Sequence, residues 1–318
     1  MIGATSGPSL LAHLADNSGL VRQQLAAVLE QQSTGKVSDN YAGLGSAVRT
    51  SVDLRPVLRH SEVWQANIDA ASSRLDVTQT VLKRLGTIAA DFYAQVNTIN
   101  DVNGTGVASL AANAKVALEQ VSQLLNTRDG NTYVFAGQNP DTPPLPSTDP
   151  AVVGAAVLAS DTATAPFAIL GTAVPQVEVG EGQTVSVGLL ANRNTLATSE
   201  APTTGSFMRD LLRGLATLST LTSPTATLAV GADARARLGS VVKALATETG
   251  ALGNVQADLV ARKDTLAATQ TALTRQVSNV EDVDLAATLT RVASLQTQLQ
   301  ASYQVIAGVK SLSLANFI

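Results

Sequence analysis

From Leu54 onward the apolar positions recur in alternating steps of three and four: Leu54, Val57, Ser61, Trp64, Ile68, Ala71, Leu75, Thr78, Leu82, Leu85, Ala89, Phe92, Val96 and Ile99. A repeat of 3.5 residues keeps one stripe of side chains facing one way along an α-helix, the a/d seam of a coiled coil. Only Ser61 and Thr78 interrupt the apolar run. A helix of about 45 residues rises roughly 70 Å at about 1.5 Å per residue, far beyond the usual globular length, so it needs long partners. The expected core of this rod within one subunit is Trp64, Ile68, Leu75, Leu82, Leu85, Phe92 and Val96.

The helical pattern then stops. The segment NTRDGNTYVFAGQNPDTPPL, Asn126 to Leu145, closes the rod and opens a window in which eight of the eleven prolines lie, from Pro140 to Pro202. Proline removes a helix hydrogen bond and clashes with the preceding turn, so helix is disfavoured there. Inside the window, VPQVEV and QTVSVGLL are alternating or β-branched runs joined by Gly180-Glu181-Gly182, a hairpin signal. Helix returns with Phe207, Leu211, Leu212, Leu215 and Leu218, and again from Leu228 to Leu245, where Asp233 and Arg235 are expected on the outer face. It resumes from about Leu252 through Leu266, Leu273 and Val280, and a last stripe places Leu285, Leu289, Val292, Leu295, Leu299, Tyr303, Ile306 and Val309 on one side. Near the N-terminus, Leu20 to Gln32 form a shorter amphipathic helix with Val21, Leu25, Val28 and Leu29 inward.

The pattern predicts a mainly α fold: a long antiparallel coiled-coil rod formed by both chain ends, with a small β-rich domain inserted in the middle. The expected boundaries are an N-terminal arm at 1–45, N-terminal rod helices at 46–130, an inserted outer domain at 131–205, C-terminal rod helices at 206–279 and a C-terminal arm at 280–318. Each arm carries a single amphipathic stripe with few aromatics. Ordering a residue costs about 1 to 2 kcal/mol, so arms without a partner are expected to be poorly ordered in a free monomer.

Composition narrows the chemistry. The chain has 318 residues, is 45% hydrophobic and only 3% aromatic, which suits long closely packed helices better than a thick globular core. With no cysteine, neither a disulfide framework nor a thiolate metal site is open to it. A net charge of -4 with scattered lysines gives no footprint for nucleic acid. The first twenty residues lack a basic segment followed by an apolar run, and the longest apolar run, Ala151 to Ala159, is too short to span a bilayer. No cleaved signal peptide, membrane insertion or cofactor is expected.

The polar motifs have structural readings. Glu281, Asp282 and Asp284 suggest a carboxylate cluster, yet on a helix only Glu281 and Asp284 share a face, and a helix start favoured by negative charge is the better account. The two histidines, His13 and His60, fall on different segments, which leaves no dyad or metal pair. Gly43-Leu44-Gly45 and Gly104-Thr105-Gly106 complete no phosphate-binding pattern and read as joints between helices. Asn131, Tyr133, Phe135 and Gly137 read as an apolar cap where helix turns to strand, with Gly137 permitting a turn.

Three segments carry a resemblance to a known family. LEQQSTGKVSDNYAGLG, the helix containing NIDAASSRLDVTQTVLKRL, and the C-terminal SNVEDVDLAATLTRVASLQTQLQASYQVIAGVKSLSLANFI resemble the characteristic ends of bacterial flagellins and their junction relatives. Within that superfamily the NTYVFAG segment resembles the one typical of members at the hook-filament junction. Flagellin itself would carry a different segment there, and an Asp-Asp-Pro-like or Asp-Asp-Ala-like step where this chain has Ser38-Asp39-Asn40-Tyr41. The resemblance implies a structural, axial component of the flagellum, secreted without a cleaved signal. Its implied partners are further copies in a helical tube, an adjoining hook-associated protein, flagellin and an export chaperone. The expected assembly interface of the axial core is Leu25, Val28, Leu299, Tyr303, Ile306, Val309, Leu312, Leu314, Phe317 and Ile318.

Flagellin, the filament subunit, stays open as an alternative. An enzyme hosted in the inserted domain is disfavoured, because residues 131–205 contain no histidine or cysteine to serve as base or activated nucleophile.

Overall fold

The computed structural model describes residues 7–98, 106–161, 164–168, 170–171, 173–222 and 224–315, with the backbone alone at 7–11, 98, 224–229 and 310–315. The chain is mainly α. Among the described residues seven α-helices run in the order α1 (Gly7–Thr34), α2 (Val48–Thr98), α3 (Val107–Leu125), α4 (Pro150–Ala159), α5 (Phe207–Ser219), α6 (Pro224–Glu281) and α7 (Leu285–Ala315). Two hairpins lie in the middle of the chain, β1 (Arg128–Asp129) with β2 (Thr132–Tyr133), and β3 (Gln176–Gly180) with β4 (Gln183–Ser186). None of the described helices is long and apolar enough to cross a membrane. The chain divides into two compact units: residues 61–266, and the two chain ends up to His60 and from Ala267.

In the larger unit the a/d stripe of α2 faces inward from Ser61 to Val96. Ile68, Ala71, Leu75, Thr78, Leu82, Leu85, Ala89, Phe92 and Val96 are buried, and Trp64 is half-buried. Ile99 lies outside the described residues. Val81 and Ile88 are buried as well, which widens the stripe beyond a two-helix seam, because α3 and α5 join the same core. The facing stripe on α6 is Ala234, Leu238, Val241, Leu245, Glu248, Leu252, Val255 and Leu259, spaced in the same threes and fours, with Val255 partly buried. The two helices run antiparallel: Lys263 Nζ meets Asp69 at 2.6 Å, Gln256 Nε2 donates to Asp76 at 2.6 Å, and Arg235 Nη2 donates to Val96 O at 3.3 Å.

Two readings of the rod are corrected by this seam. Helix α6 does not pause between Leu245 and Leu252. Glu248 occupies a stripe position there and is 1% exposed, with one carboxylate oxygen accepting the backbone N–H groups of Thr195, Leu196 and Ala197 at 2.7 to 3.0 Å. Asp233 and Arg235 do not sit on an outer face. Both are half-buried, Asp233 accepting from Arg237 Nε at 2.9 Å.

The middle of the chain holds both hairpins, the second turning at Glu181–Gly182 as its glycines predict. It also holds a helix that the proline count argues against. Pro150 stands in the first turn of α4, where its missing N–H needs no partner, and Asp149 caps the helix by accepting the N–H of Ala151 at 2.8 Å. Arginines close the other end: Arg209 Nη2 donates to Ser160 O at 2.7 Å and Arg213 to Val157 O. Gly154 is buried where α4 packs on α3 and α5, and a Cβ there would make ordinary contacts with Leu118 at 3.5 Å and Ala216 at 3.7 Å.

The NTYVFAG segment locks this region to α2. Val134, Phe135 and Ala136 are fully buried, while Tyr133 lies half-buried under Arg128, whose guanidinium stands 4.5 Å from the ring centroid. Asn131 is exposed in the β1–β2 turn. Arg74 on α2 donates to Thr132 Oγ1 and to the carbonyls of Tyr133 and Val134 at 3.0 to 3.1 Å. Asn126 and Leu145, the two ends of the segment, exchange a pair of hydrogen bonds through the Asn126 amide at 2.8 and 2.9 Å.

Gly137 is required twice over. Its φ is +62°, and a Cβ would meet Leu190 Cδ2 at 2.3 Å and Leu170 O at 2.8 Å. Replacing it with alanine is expected to cost about 3 kcal/mol, from backbone strain and overpacking together. Gly182, at φ +64° with nothing within 4 Å, shares only the strain, so Gly182→Ala is expected to cost about 1 kcal/mol. Urea unfolding of the two variants checks the difference; equal losses would show that the Gly137 contact is relieved by movement of Leu190.

Candidate functional site: the terminal helix pair and its joint

The second unit is built where four helices begin or end. Helix α1 stops at Thr34, because Gly35 takes φ +70° and turns the chain. A short 3-10 segment at Tyr41–Ala47 leads into α2, with Asn40 Oδ1 accepting the N–H of Gly43 at 3.1 Å and Gly45 at φ +57°. The SDNY step therefore forms a capped joint, and Gly43-Leu44-Gly45 lies within it. On the return path α6 ends at Glu281 and α7 starts at Leu285, where Asp284 caps it by accepting the N–H groups of Ala286 and Ala287 at 2.9 and 3.1 Å. The two breaks pair as an antiparallel bridge, Lys36 with Asp282: Val37 N–H donates to Glu281 O at 2.7 Å and Val283 N–H to Gly35 O at 3.0 Å.

Glu281 is not part of a helix start, as its spacing from Asp284 predicts; it belongs to the helix before. Its side chain is 8% exposed and lies among cations and a hydroxyl. Ser51 Oγ donates to it at 2.5 Å, Arg55 Nε at 2.7 Å with a second contact through Nη2, and Lys36 Nζ stands at 3.6 Å. The Arg55 hydrogen bond is the main cause that holds the carboxyl down at about 2, against burial, which pushes it up, and with help from Ser51 and the charges of Arg55 and Lys36. Glu281 in turn raises the pKa of Arg55. A cleft of about 250 Å³ beside the cluster is lined by Ser38, Asp39, Asn40, Tyr41 and Leu44 as well as the ions.

Beyond the joint, α1 and α7 pack antiparallel on one another. Val28, Val292 and Leu295 form the buried cluster between them, with Val21 and Leu25 packed against it. Two of the residues assigned from sequence to contacts between subunits, Val28 and Leu25, are therefore engaged within the chain. The arms, expected to lack a partner in a free monomer, pack on each other, in keeping with the antiparallel pairing expected of the two chain ends. The seam is narrow. On α7, Leu299, Ile306 and Val309 are half-buried, Tyr303 is 47% exposed, and Leu285 and Leu289 are 51% and 52% exposed although they flank the buried positions. On α1, Leu20 and Leu29 are exposed, and on the first turns of α2 so are Val52 and Val57. The side chains of Leu312 and Leu314, and the whole of Phe317 and Ile318, lie outside the described residues.

The apolar arc of α7 is thus wider than its covered part. At 100° per residue, Thr288, Val292, Leu295, Leu299 and Ile306 share one face, and Leu285, Leu289 and Tyr303 fall beside it on a single flank. Helix α1 covers the first set and leaves the second open.

The chain is similar to known proteins in sequence and in fold. Residues 236–318 match the family described as the bacterial flagellin C-terminal helical region. Flagellar hook-associated protein 3 of Escherichia coli K12 is 26% identical over 301 residues, 90% of each chain. A solved structure from Vibrio parahaemolyticus described as a flagellar hook-associated protein superposes with a TM-score of 0.58 at 12% identity, covering 76% of this chain and 99% of that one, a likeness of fold.

The depressed pKa of Glu281 sets the sign of an acid dependence. Its ionised contacts stabilise the joint fully above the ordinary carboxylate value of 4.5, and that stabilisation is lost as pH falls toward about 2. Glu281→Gln is expected to be less stable than the parent by about 2 kcal/mol at pH 7, the scale of hydrogen bonds to a charged group. The gap should close on acidification. Circular dichroism unfolding curves at pH 7, 5 and 3 check it; a gap that stays constant with pH would assign the loss to packing.

Proposed function

The chain being a flagellin-like structural protein of the flagellar axis, we propose that it joins hook to filament by packing its terminal helices against those of neighbouring copies. The observation that carries this is the half-covered arc of α7. Leu285, Leu289 and Tyr303 form an apolar flank continuous with the buried Val292–Leu295 seam, and a third helix from another copy fits there as the a/d logic of a bundle requires. In a tube every subunit both gives and receives this contact, so its energy repeats around and along the assembly. Leu299, Ile306 and Val309 continue along the same helix, and with Leu285, Leu289 and Tyr303 they belong to the assembly interface in this reading.

The junction position is supported by the 26% identity along 90% of the chain to flagellar hook-associated protein 3 and by the NTYVFAG segment. In this position the protein lies outside the cell, exported without a cleaved signal and held by an export chaperone, with an adjoining hook-associated protein on one side and flagellin on the other. The filament subunit is the second reading, favoured by the flagellin C-terminal match at residues 236–318. Deletion of the gene separates the two: a junction protein leaves bare hooks while flagellin is released to the medium, whereas loss of the filament subunit leaves no flagellin to release.

The assembly surface is tested by Leu285→Asp combined with Leu289→Asp. Both side chains are half exposed, so the monomer should keep its helicity and its unfolding midpoint. Covering a leucine contributes about 1.5 to 3 kcal/mol, and a carboxylate in its place has no partner, so polymerisation and motility are expected to be lost. Electron microscopy of complemented cells and circular dichroism of the purified protein give the two readouts. Normal filaments on cells carrying the double variant would remove α7 from the interface.

A further inference from the structure

We propose that the paired break at Gly35–Asn40 and Asp282–Asp284 is an articulated joint, and that Glu281 is its latch, clamping the α1–α7 pair at one angle to the α2 and α6 segments of the same unit. Topology makes the break a hinge. Both covalent links from the α1–α7 pair to the neighbouring helices pass through it, one by Gly35 to Ala47 and the other by Asp282 to Asp284. Neither link is α-helical, the first is bounded by glycines at φ +70° and +57°, and two backbone hydrogen bonds tie the links together so that they move as one.

There is room to move. The cleft of about 250 Å³ lies on the Tyr41 and Arg55 side, and a second of about 190 Å³, lined by Ala27, Glu30, Gln31 and Thr34, lies on the α1 side, with Lys36, Ser38, Asp39 and Asn40 forming walls of both. A segment with open space on two sides is held by its polar contacts, and here these converge on one carboxylate. Glu281 draws in Lys36 from the first link and Ser51 and Arg55 from α2, while its own backbone carbonyl receives Val37 N–H.

On the α1 side of the latch, Glu30 lines the second cleft together with Lys36. Lys36 and Arg55 face Glu281 directly. Asp39 and Tyr41 line the cleft beside it. Of the two acids after it, Asp282 accepts from Ser278 and Asp284 is occupied as the cap of α7. No other carboxylate among the described residues shares the two cations. Removing the charge of Glu281 therefore takes away the group on which Lys36 and Arg55 converge, and removing that of Arg55 leaves the carboxylate with Ser51 and Lys36.

The absence of cysteine makes the test direct, since spin labels go only where cysteines are placed. One pair, Gln24→Cys with Arg59→Cys, reports α1 against α2. A second, Gln24→Cys with Gln296→Cys, reports α1 against α7 beside the Val28–Val292 cluster. Both distances are read in the full-length protein by pulsed electron paramagnetic resonance. In Glu281→Gln the first distance distribution is expected to broaden at least twofold while the second keeps its parental width. In Arg55→Gln the first distribution should broaden at a higher pH than in the parent, because the carboxyl loses its strongest partner. If Glu281→Gln loses helix by circular dichroism, Arg55→Gln and Lys36→Gln decide the matter. A first distribution unchanged in those variants, or two distributions that broaden together, overturns the latch; the latter shows Glu281 as a support for local folding alone.

Discussion

The larger unit depends on the antiparallel seam between α2 and α6. Two stripes in threes and fours, one from Ser61 to Val96 and the other from Ala234 to Leu259, bury one another over most of their length. Each is amphipathic and neither holds its shape alone, because helix propagation in water is nearly neutral and stability comes from what packs on the apolar face. Everything else in that unit is placed by reference to the seam. Helices α3 and α5 add Leu118, Val121, Phe207, Leu211 and Leu215 to its flank, which is why Val81 and Ile88 are buried beside the strict a/d positions. The hairpin and the NTYVFAG segment are tied to the same helix by Arg74, a half-buried guanidinium whose pKa burial lowers.

Buried polar groups mark the places where this unit departs from a plain coiled coil. Glu248 stands in the α6 stripe with no cation beside it, and three backbone N–H groups from one loop answer it on a single oxygen. Arg209, Arg213 and Arg237 surround the end of α4 and answer its last carbonyls and the carboxylates of Asp161, Asp210 and Asp233. Asp210 is driven upward in pKa by burial, and hydrogen bonds from Thr203 and Thr204 oppose the rise. Such groups cost a great deal when left alone, so the partners they do find favour one arrangement of loop on helix where apolar packing would tolerate several.

What was legible in the sequence follows the same division. Periodicity revealed the rod, its inward side chains and the second hairpin, since these rest on local spacing and on glycine at positive φ. It failed where a residue answers to a distant part of the chain. Glu248 looked like an interruption because its partners, residues 195–197, are some fifty positions away. Pro150 and Asp149 together are a helix start, and counting prolines without their position hid α4. Glu281 and Asp284 share a helical spacing, yet the break at Asp282 assigns one to the end of α6 and the other to the start of α7. For the terminal pair, the stripe of α7 was visible from Leu285 to Val309, but not which part of it α1 would cover.

That last gap is physical. Helix α1 is 28 residues long and α7 is 31, yet among the described side chains their shared buried cluster holds Val28, Val292 and Leu295. At about 1.5 to 3 kcal/mol for each fully buried side chain, such a cluster is small beside the about 1 to 2 kcal/mol that ordering each residue costs before helix hydrogen bonds are counted. A pair so balanced gains most of its order from whatever covers Leu285, Leu289 and Tyr303. The larger unit, with its continuous core, has no such need. In the proposed assembly, a chain divided in this way would stay folded in one part and couple the order of its ends to contact with a neighbour. Within the terminal unit the contacts of Glu281 are electrostatic and hydrogen-bonded, so they add no apolar surface for a neighbour to cover.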